Sequence, residues 1–225
     1  MPDLGLEVLL KGKNAVRLLG GLWVALRVSL ISVAISIPLG ILLGVLMTRK
    51  NRLIRAILRI YLEIIRIMPQ MVLLFLAYFG TARAFGWNLD GETAAIIVFA
   101  LWGTAEMSDL VRGALVSIPR HQYESAEALG LTRGQVFRYV VLPQAVSISM
   151  PAFMANIIFL LKETSVFSAI SLMDLMFTAK DLIGLYYKTA ENLFLLVVFY
   201  LIILLPVSLL GSWLERRLRY AGFGS

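Results

Sequence analysis

Glu106, Asp109 and Arg112 stand at i, i+3 and i+6 inside a stretch that is otherwise apolar. On a helix, positions three apart share a face. Ionisable groups inside a membrane span point at protein or water rather than at lipid. The trio therefore suits a polar translocation path or binding site with Glu106 deepest, or else structure: an ion pair at the cytoplasmic end of a span for Asp109 and Arg112, and a packing role for Glu106. Lys162-Glu163-Thr164-Ser165 sets a cation beside a carboxylate. A zwitterionic solute needs a cation for its carboxylate and an acceptor for its ammonium. Neighbours on a helix point in different directions, however, so this pair suits an ion pair between helices equally. Arg66 and Gln70 flank Met68-Pro69, where an unwound turn would offer free backbone groups to a path and a kinked helix would merely pack. Asn156 is a further candidate to line such a path.

These groups bind and pass solutes; none is set up for covalent chemistry. The 225 residues contain no cysteine and one histidine, His121. That removes disulfides, thiolate nucleophiles and a His-rich metal site. No Gly-x-x-x-x-Gly-Lys-Ser/Thr string is present, so nucleotide phosphate is not expected to bind here. No catalytic residue, metal or cofactor is predicted. His121 beside Arg120 reads as a solvated loop residue.

The elements that would position these groups follow from composition. Apolar residues make up 60% of the chain and charged ones 16%, and the mean hydropathy is +0.85. A soluble domain of this size has too much surface to hide that fraction. An all-α polytopic membrane protein is predicted, with five spans at about 19–47, 57–85, 93–117, 144–170 and 193–214. The first apolar run is too long for the h-region of a signal peptide. Pro38 lies within it, and so does Gly40-Ile-Leu-Leu-Gly44, a spacing of small residues that lets helix backbones approach closely. The net charge of +7 matches basic cytoplasmic loops rather than nucleic-acid binding, because no basic run is interleaved with aromatics. Lys and Arg divide 13 against 7 between the two sides, with Arg27 inside the first span. The positive-inside rule then predicts an outside N-terminus, with 118–142 and the C-terminus in the cytoplasm.

Residues 118–142 predict a knob of two short helices. Pro119 suits a first turn, and Gln122–Leu129 has good helix composition. Gly130 suits the left-handed position that ends a helix. Thr132 and Gln135 have capping-box spacing, opening a second helix that Pro143 is expected to stop. Small Ser125, Ala126 and Ala128 keep the first helix thin enough to enter a groove on a partner.

Here the sequence resembles a known family. Glu124-Ser125-Ala126, Gly130 and Val140-Val-Leu142-Pro143 are similar to the EAA motif of bacterial ABC importer permeases: Glu-Ala-Ala, three residues, Gly, nine residues, Ile, one residue, Leu-Pro. Both spacings hold, with Ser125 for Ala and Val140 for Ile. Arg120-His121-Gln122 departs from the Gly that usually precedes Gln. Over about 19–215 the chain resembles the polar amino acid subfamily. Arg66-Ile-Met-Pro69 is similar to its Arg-Gly-Thr-Pro, and Asp109-Leu-Val-Arg112-Gly113 to its Glu-x-x-Arg-Gly. Leu142-Pro-Gln144-Ala145 and Leu161-Lys162-Glu163-Thr164-Ser165 resemble its Leu-Pro-Gln-Ala and Leu-Lys-Asp-Thr-Ser.

The resemblance implies one permease domain over 1–225 in the bacterial inner membrane, importing a polar amino acid. It implies ATPase coupling through Glu124, Ser125, Ala126, Gly130, Leu142 and Pro143. It also implies two cytosolic ATP-binding subunits, a second permease subunit (homo- or heterodimer) and an extracytoplasmic solute-binding protein. The rival reading is an ion-gradient-driven secondary amino acid transporter, for which Glu106 and Asp109 would serve proton coupling. No internal inverted repeat supports it.

Overall fold

The computed structural model describes residues 6–220; the first and last five residues of the expected domain lie outside the described residues. Every regular element among the described residues is helical. In hydrocarbon each backbone N–H must be bonded within its own segment, so long apolar runs become helices. The elements are α1 (Leu6–Leu10), α2 (Asn14–Met47), α3 (Arg52–Ile67), α4 (Gln70–Phe75), α5 (Thr81–Phe85), α6 (Gly91–Ser117), α7 (Arg120–Ala128), α8 (Arg133–Val136), α9 (Leu142–Glu163), α10 (Leu175–Tyr186) and α11 (Thr189–Tyr220). Four stretches are long and apolar enough to cross a membrane, or five if α3 and the α4–α5 run count as one broken span. The exposed Leu201, Ile202 and Leu205 on α11 would be a liability in water. In a bilayer they meet acyl chains.

Two expectations need correction. The span foreseen at 57–85 is not continuous. It starts at Arg52 and breaks at Met68-Pro69. Pro69 takes φ −57° and ψ 134°, because its ring cannot continue a helix and the residue before it is pushed out of the α region. The Pro69 carbonyl then accepts from the backbone N–H groups of Val72 (2.9 Å) and Leu73 (3.1 Å), starting α4. Pro143, by contrast, stops nothing. Residues 133–170 are helical throughout. A π turn over Phe137–Val141 widens the helix just before the ring, as such turns do where the i→i−4 ladder is interrupted. Gln144 Nε2 donates to the Val140 carbonyl at 3.0 Å.

The chain forms two compact units. The first comprises residues 1–34, 68–101 and 158–207. Its core joins Leu18 of α2 to Leu175, Ala179 and Leu182 of α10 and Leu196 and Phe199 of α11. The Phe99 and Phe167 rings pack tilted by 50°, with centroids 4.4 Å apart. At its surface Arg27 pairs with Glu92 and Arg17 with Asp181.

The second unit comprises residues 35–67, 102–157 and 208–225. Here the two glycines of Gly40-x-x-x-Gly44 press against α6. A Cβ at Gly40 would lie 2.6 Å from Met107 Cβ, and one at Gly44 would lie 2.6 Å from Val111 Cβ and 2.7 Å from the Ser108 carbonyl oxygen. The small-residue spacing is thus a packing device. Ala114, Leu115, Ile118, Ala126, Val136, Val141 and Ala145 form this unit's core beside it.

Candidate functional site

Within the second unit, residues 118–142 form the two short helices and the glycine turn that their local signals predict, although Pro119 caps the first helix rather than entering it and the second runs on past Pro143. Pro119, with φ −63° and ψ 144°, precedes α7. Gly130 has φ +82°. Its N–H donates to the Glu127 carbonyl at 2.9 Å, and the Leu131 N–H donates to the Ala126 carbonyl at 3.2 Å. Those two bonds are the Schellman arrangement that satisfies the last carbonyls of a helix. Opening α8, Gln135 Oε1 accepts from the Thr132 N–H at 2.8 Å and from the Thr132 hydroxyl at 2.9 Å.

Packing decides which residues of α7 face outward. Ala126 is buried in the core beside Tyr123, so this small residue seats the knob on its own chain instead of thinning the outer face. Glu124, Ser125, Glu127 and Ala128 are exposed. Leu129 is 82% exposed, an apolar tip that the motif alone does not mark. Gln144 Nε2 reaches Gln122 Oε1 at 3.4 Å, a link between α9 and α7. Leu142 is exposed and Pro143 intermediate at the start of α9.

The polar cluster lies in the same unit. Arg66 of α3 donates from Nε to Glu106 Oε1 at 2.7 Å and from Nη1 to Asp109 Oδ2 at 2.9 Å. Arg112 donates to Asp109 Oδ1 from Nε at 3.0 Å and from Nη2 at 2.6 Å. Two guanidiniums thus share two carboxylates, and the cluster is formally neutral. All four side chains are partly exposed, so each charge stays within reach of water or solute. The foreseen Asp109–Arg112 pair is present. Arg66, forty residues away in sequence, completes it. Asn156 belongs to this unit but makes no hydrogen bond to the cluster; it is buried with Oδ1 unpartnered.

The remaining candidates fall in the first unit. Gln70 opens α4, and neither of its amide heavy atoms has a partner. α4 packs against the 3₁₀ turn Thr164–Ile170. Thr164 is fully buried and its hydroxyl donates to the Leu161 carbonyl at 3.0 Å. Lys162 and Glu163 form no ion pair with another helix among the described residues. Lys162 Nζ sits 5.4 Å from the Phe159 ring centroid instead, and Glu163 is where α9 gives way to the 3₁₀ turn. Buried amides without partners are rare in folded proteins, so Gln70 and Asn156 are groups with unused hydrogen-bonding capacity.

Sequence reasoning missed Asp174. It caps α10, with Oδ1 accepting from the Phe177 N–H at 2.8 Å and Oδ2 unpartnered. Burial pushes its carboxyl up to about 7, because desolvation disfavours the charged form. An Asp directly before an apolar helical run is the signal that marks such a cap.

The fold is matched in known proteins. The model of the family described as "binding-protein-dependent transport system inner membrane component" matches residues 36–220. The chain belongs to this family. It is a multi-pass membrane component of a transport system, and the secondary-transporter alternative is not favoured. The family's systems include an ATP-binding subunit and a binding protein. The permease is 33% identical over 161 residues to the glutamine transport system permease protein GlnP of Escherichia coli (strain K12), covering 71% of this chain and 74% of that protein. It is 30% identical over 208 residues to the octopine transport system permease protein OccM of Rhizobium radiobacter, covering 89% and 85%. Among solved structures, a crystal structure of an amino acid ABC transporter with histidines superimposes with a TM-score of 0.86 at 28% identity, covering 96% of the permease and 99% of that chain.

Proposed function

We propose that this chain is the transmembrane permease subunit of an ATP-driven importer, moving a polar amino acid from the periplasmic or extracellular side into the cytoplasm. The observation that carries the reading is the rigid, doubly capped knob with an exposed Glu124–Leu129 face, on a chain of this family. The glutamine, octopine and histidine named for its relatives are polar amino acids or built from them. The knob faces the cytoplasm, the chain lies in the bacterial inner membrane, and residues 1–225 act as one permease domain. Two cytosolic ATP-binding subunits hydrolyse ATP, a second permease subunit completes the pore, and an extracytoplasmic binding protein delivers the solute.

The mechanism follows from stiffness. α7 is fixed to α6 and α9 through Ala126 and Gln122, so a push on the Glu124–Leu129 face moves helices rather than bending a loop. Closure of the ATPase subunits biases the permease between two packings, a nucleotide-driven two-state element. Glu124, Ser125 and Gly130 carry the contact and its shape. Ala126, Leu142 and Pro143 root it in the membrane helices. Along the path, the neutral Arg66–Glu106–Asp109–Arg112 cluster exchanges internal partners for the carboxylate and ammonium of the solute. Gln70, Asn156, Lys162, Glu163 and Thr164 supply polar contacts.

ATP-dependent uptake in proteoliposomes holding all subunits tests the class: uptake driven by an ion gradient without ATP refutes it. For topology, single cysteines at Gln122 and Lys180 are labelled with an impermeant maleimide in intact cells. Labelling is expected at 180 and not at 122, and the reverse overturns the orientation. For the path, Glu106→Gln leaves Arg66 with Asp109 alone. Partly exposed ion pairs contribute about 1 kcal/mol or less to stability, so the complex assembles, while the KM for uptake shifts by roughly tenfold, equivalent to ~1.4 kcal/mol of solute contact. Unchanged kinetics across several amino acids would assign Glu106 to structure only.

A further inference from the structure

The arginines of α3 are more numerous than the polar cluster needs. Arg55, Arg59, Glu63, Arg66, Asp109 and Arg112 line a cavity of about 190 Å³ within the second unit. Four guanidiniums meet two carboxylates there. Arg66, Asp109 and Arg112 are already committed to one another and to Glu106. Arg55 and Arg59 have no acidic partner among the described residues, and both are exposed. Beyond the neutral Arg66–Glu106–Asp109–Arg112 cluster, Arg55 and Arg59 set against Glu63 leave the cavity one net positive charge, which suits an anion.

The same helix says which anion. Leu53, Ile57, Ile60, Ile64 and Ile67 repeat every three to four residues, so they form one stripe along α3 on the side away from Arg55 and Arg59, and all are exposed. A helix with arginines on one face and large aliphatics on the other suits a lipid–water boundary. Arg55 and Arg59 stand within the first two turns of α3, about 10 Å of axial rise from its start, directly after Arg49-Lys50. That is headgroup depth where the helix enters a bilayer. A free phosphate would use the arginines and leave the stripe without a role; a phospholipid uses both.

We propose that the α3 cavity binds the phosphate of an anionic phospholipid headgroup, held by Arg55 and Arg59, with acyl chain along the aliphatic stripe. This rests on the proposed orientation only in placing the lipid in the cytoplasmic leaflet, which is the leaflet enriched in anionic lipid. Arg66 and Arg112 line the far wall of the cavity, and the phosphate is assigned to Arg55 and Arg59 alone.

The full chain, purified in mild detergent, is titrated with phosphatidylglycerol, phosphatidylcholine or inorganic phosphate, and bound lipid is read by native mass spectrometry. Phosphatidylglycerol is expected to bind at least tenfold more tightly than phosphatidylcholine. The double variant Arg55→Gln/Arg59→Gln should weaken phosphatidylglycerol by about twenty-five-fold, roughly fivefold per arginine near an anionic surface, and leave phosphatidylcholine unchanged. Arg55→Lys/Arg59→Lys should keep the preference. Glu63→Gln, which removes the unpaired carboxylate of the cavity, should raise the affinity severalfold, and it reads the site even where the double variant does not fold. Equal binding of the two lipids by the wild type, an intact preference in the double Gln variant, or no gain in Glu63→Gln each overturns the proposal. Inorganic phosphate that binds as well as phosphatidylglycerol and displaces it overturns the lipid as the source. Binding in detergent is indifferent to which side α3 faces, so a reversed cysteine-labelling result would refute the orientation and leave this site standing.

Discussion

Replacing Gly130 with valine is expected to leave little uptake while the chain still inserts in the membrane at near-normal levels. Gly130 sits at φ +82°, a backbone region that a residue with a Cβ enters only at about 1 kcal/mol or more, and β-branching makes it costlier. A Cβ there would meet nothing within 4 Å. The damage is therefore conformational, not steric, and it falls on the turn alone. Relieving the strain means giving up the Gly130–Glu127 and Leu131–Ala126 bonds, which tilts α7 and displaces the Glu124–Leu129 face. The membrane helices do not depend on that turn for insertion. Uptake should fall by at least roughly tenfold, the factor that ~1.4 kcal/mol of misdirected contact gives. Gly130→Asn should retain most activity, because asparagine tolerates the left-handed region. Glu124→Lys should uncouple as Gly130→Val does, by reversing charge on an exposed face. Co-purification of the ATPase subunits, stimulation of ATP hydrolysis by loaded binding protein, and uptake are measured on the same preparations. Normal stimulation and uptake in both Gly130→Val and Glu124→Lys would remove the coupling role from the knob.

The second large effect is on folding. Gly44→Val should destabilise the second unit by about 3 kcal/mol or more, the upper part of the range for overpacking a tight interface. For a chain of this size that is roughly 10 °C in the unfolding midpoint. The new Cβ would stand 2.6 Å from Val111 Cβ and 2.7 Å from the Ser108 carbonyl oxygen. The latter is helix backbone, which cannot swing aside as a side-chain end does. α2 and α6 must then separate locally, and the contacts that lipid cannot replace are lost. Gly20→Ala on the same helix is the control, since a Cβ there meets nothing within 4 Å; it should be neutral or slightly stabilising through helix propensity. Thermal unfolding in detergent, read by loss of the monodisperse elution peak, compares the two. A Gly44→Val chain as stable as Gly20→Ala would mean that α2 and α6 are not in close contact.

These two glycines also mark where sequence reading stops. Gly130 and Thr132 with Gln135 were legible because each acts within a few residues: a φ only glycine adopts easily, and a side chain that reaches the backbone N–H three residues back. The apolar runs were legible for a similar reason, since the bilayer imposes one length and one secondary structure on them. Gly40-x-x-x-Gly44 announced close packing but not against what. Only the tertiary structure supplies α6. The same holds for Arg66, whose carboxylate partners lie forty and forty-three residues away. It holds for Ala126, turned inward by the core that Val136 and Val141 complete, and for Lys162, which meets a ring where an ion pair between helices was one of two readings. Pro143 was misread because its local rule was right but incomplete: the ring does interrupt the ladder, yet the π turn at Phe137–Val141 absorbs the interruption and the helix runs on. Local chain stereochemistry and the bilayer determine which segments are helical and where they turn. Which side chains meet, and so which charges are paired, buried or left open, depends on how separate helices pack, and that is decided only once distant parts of the chain are brought together.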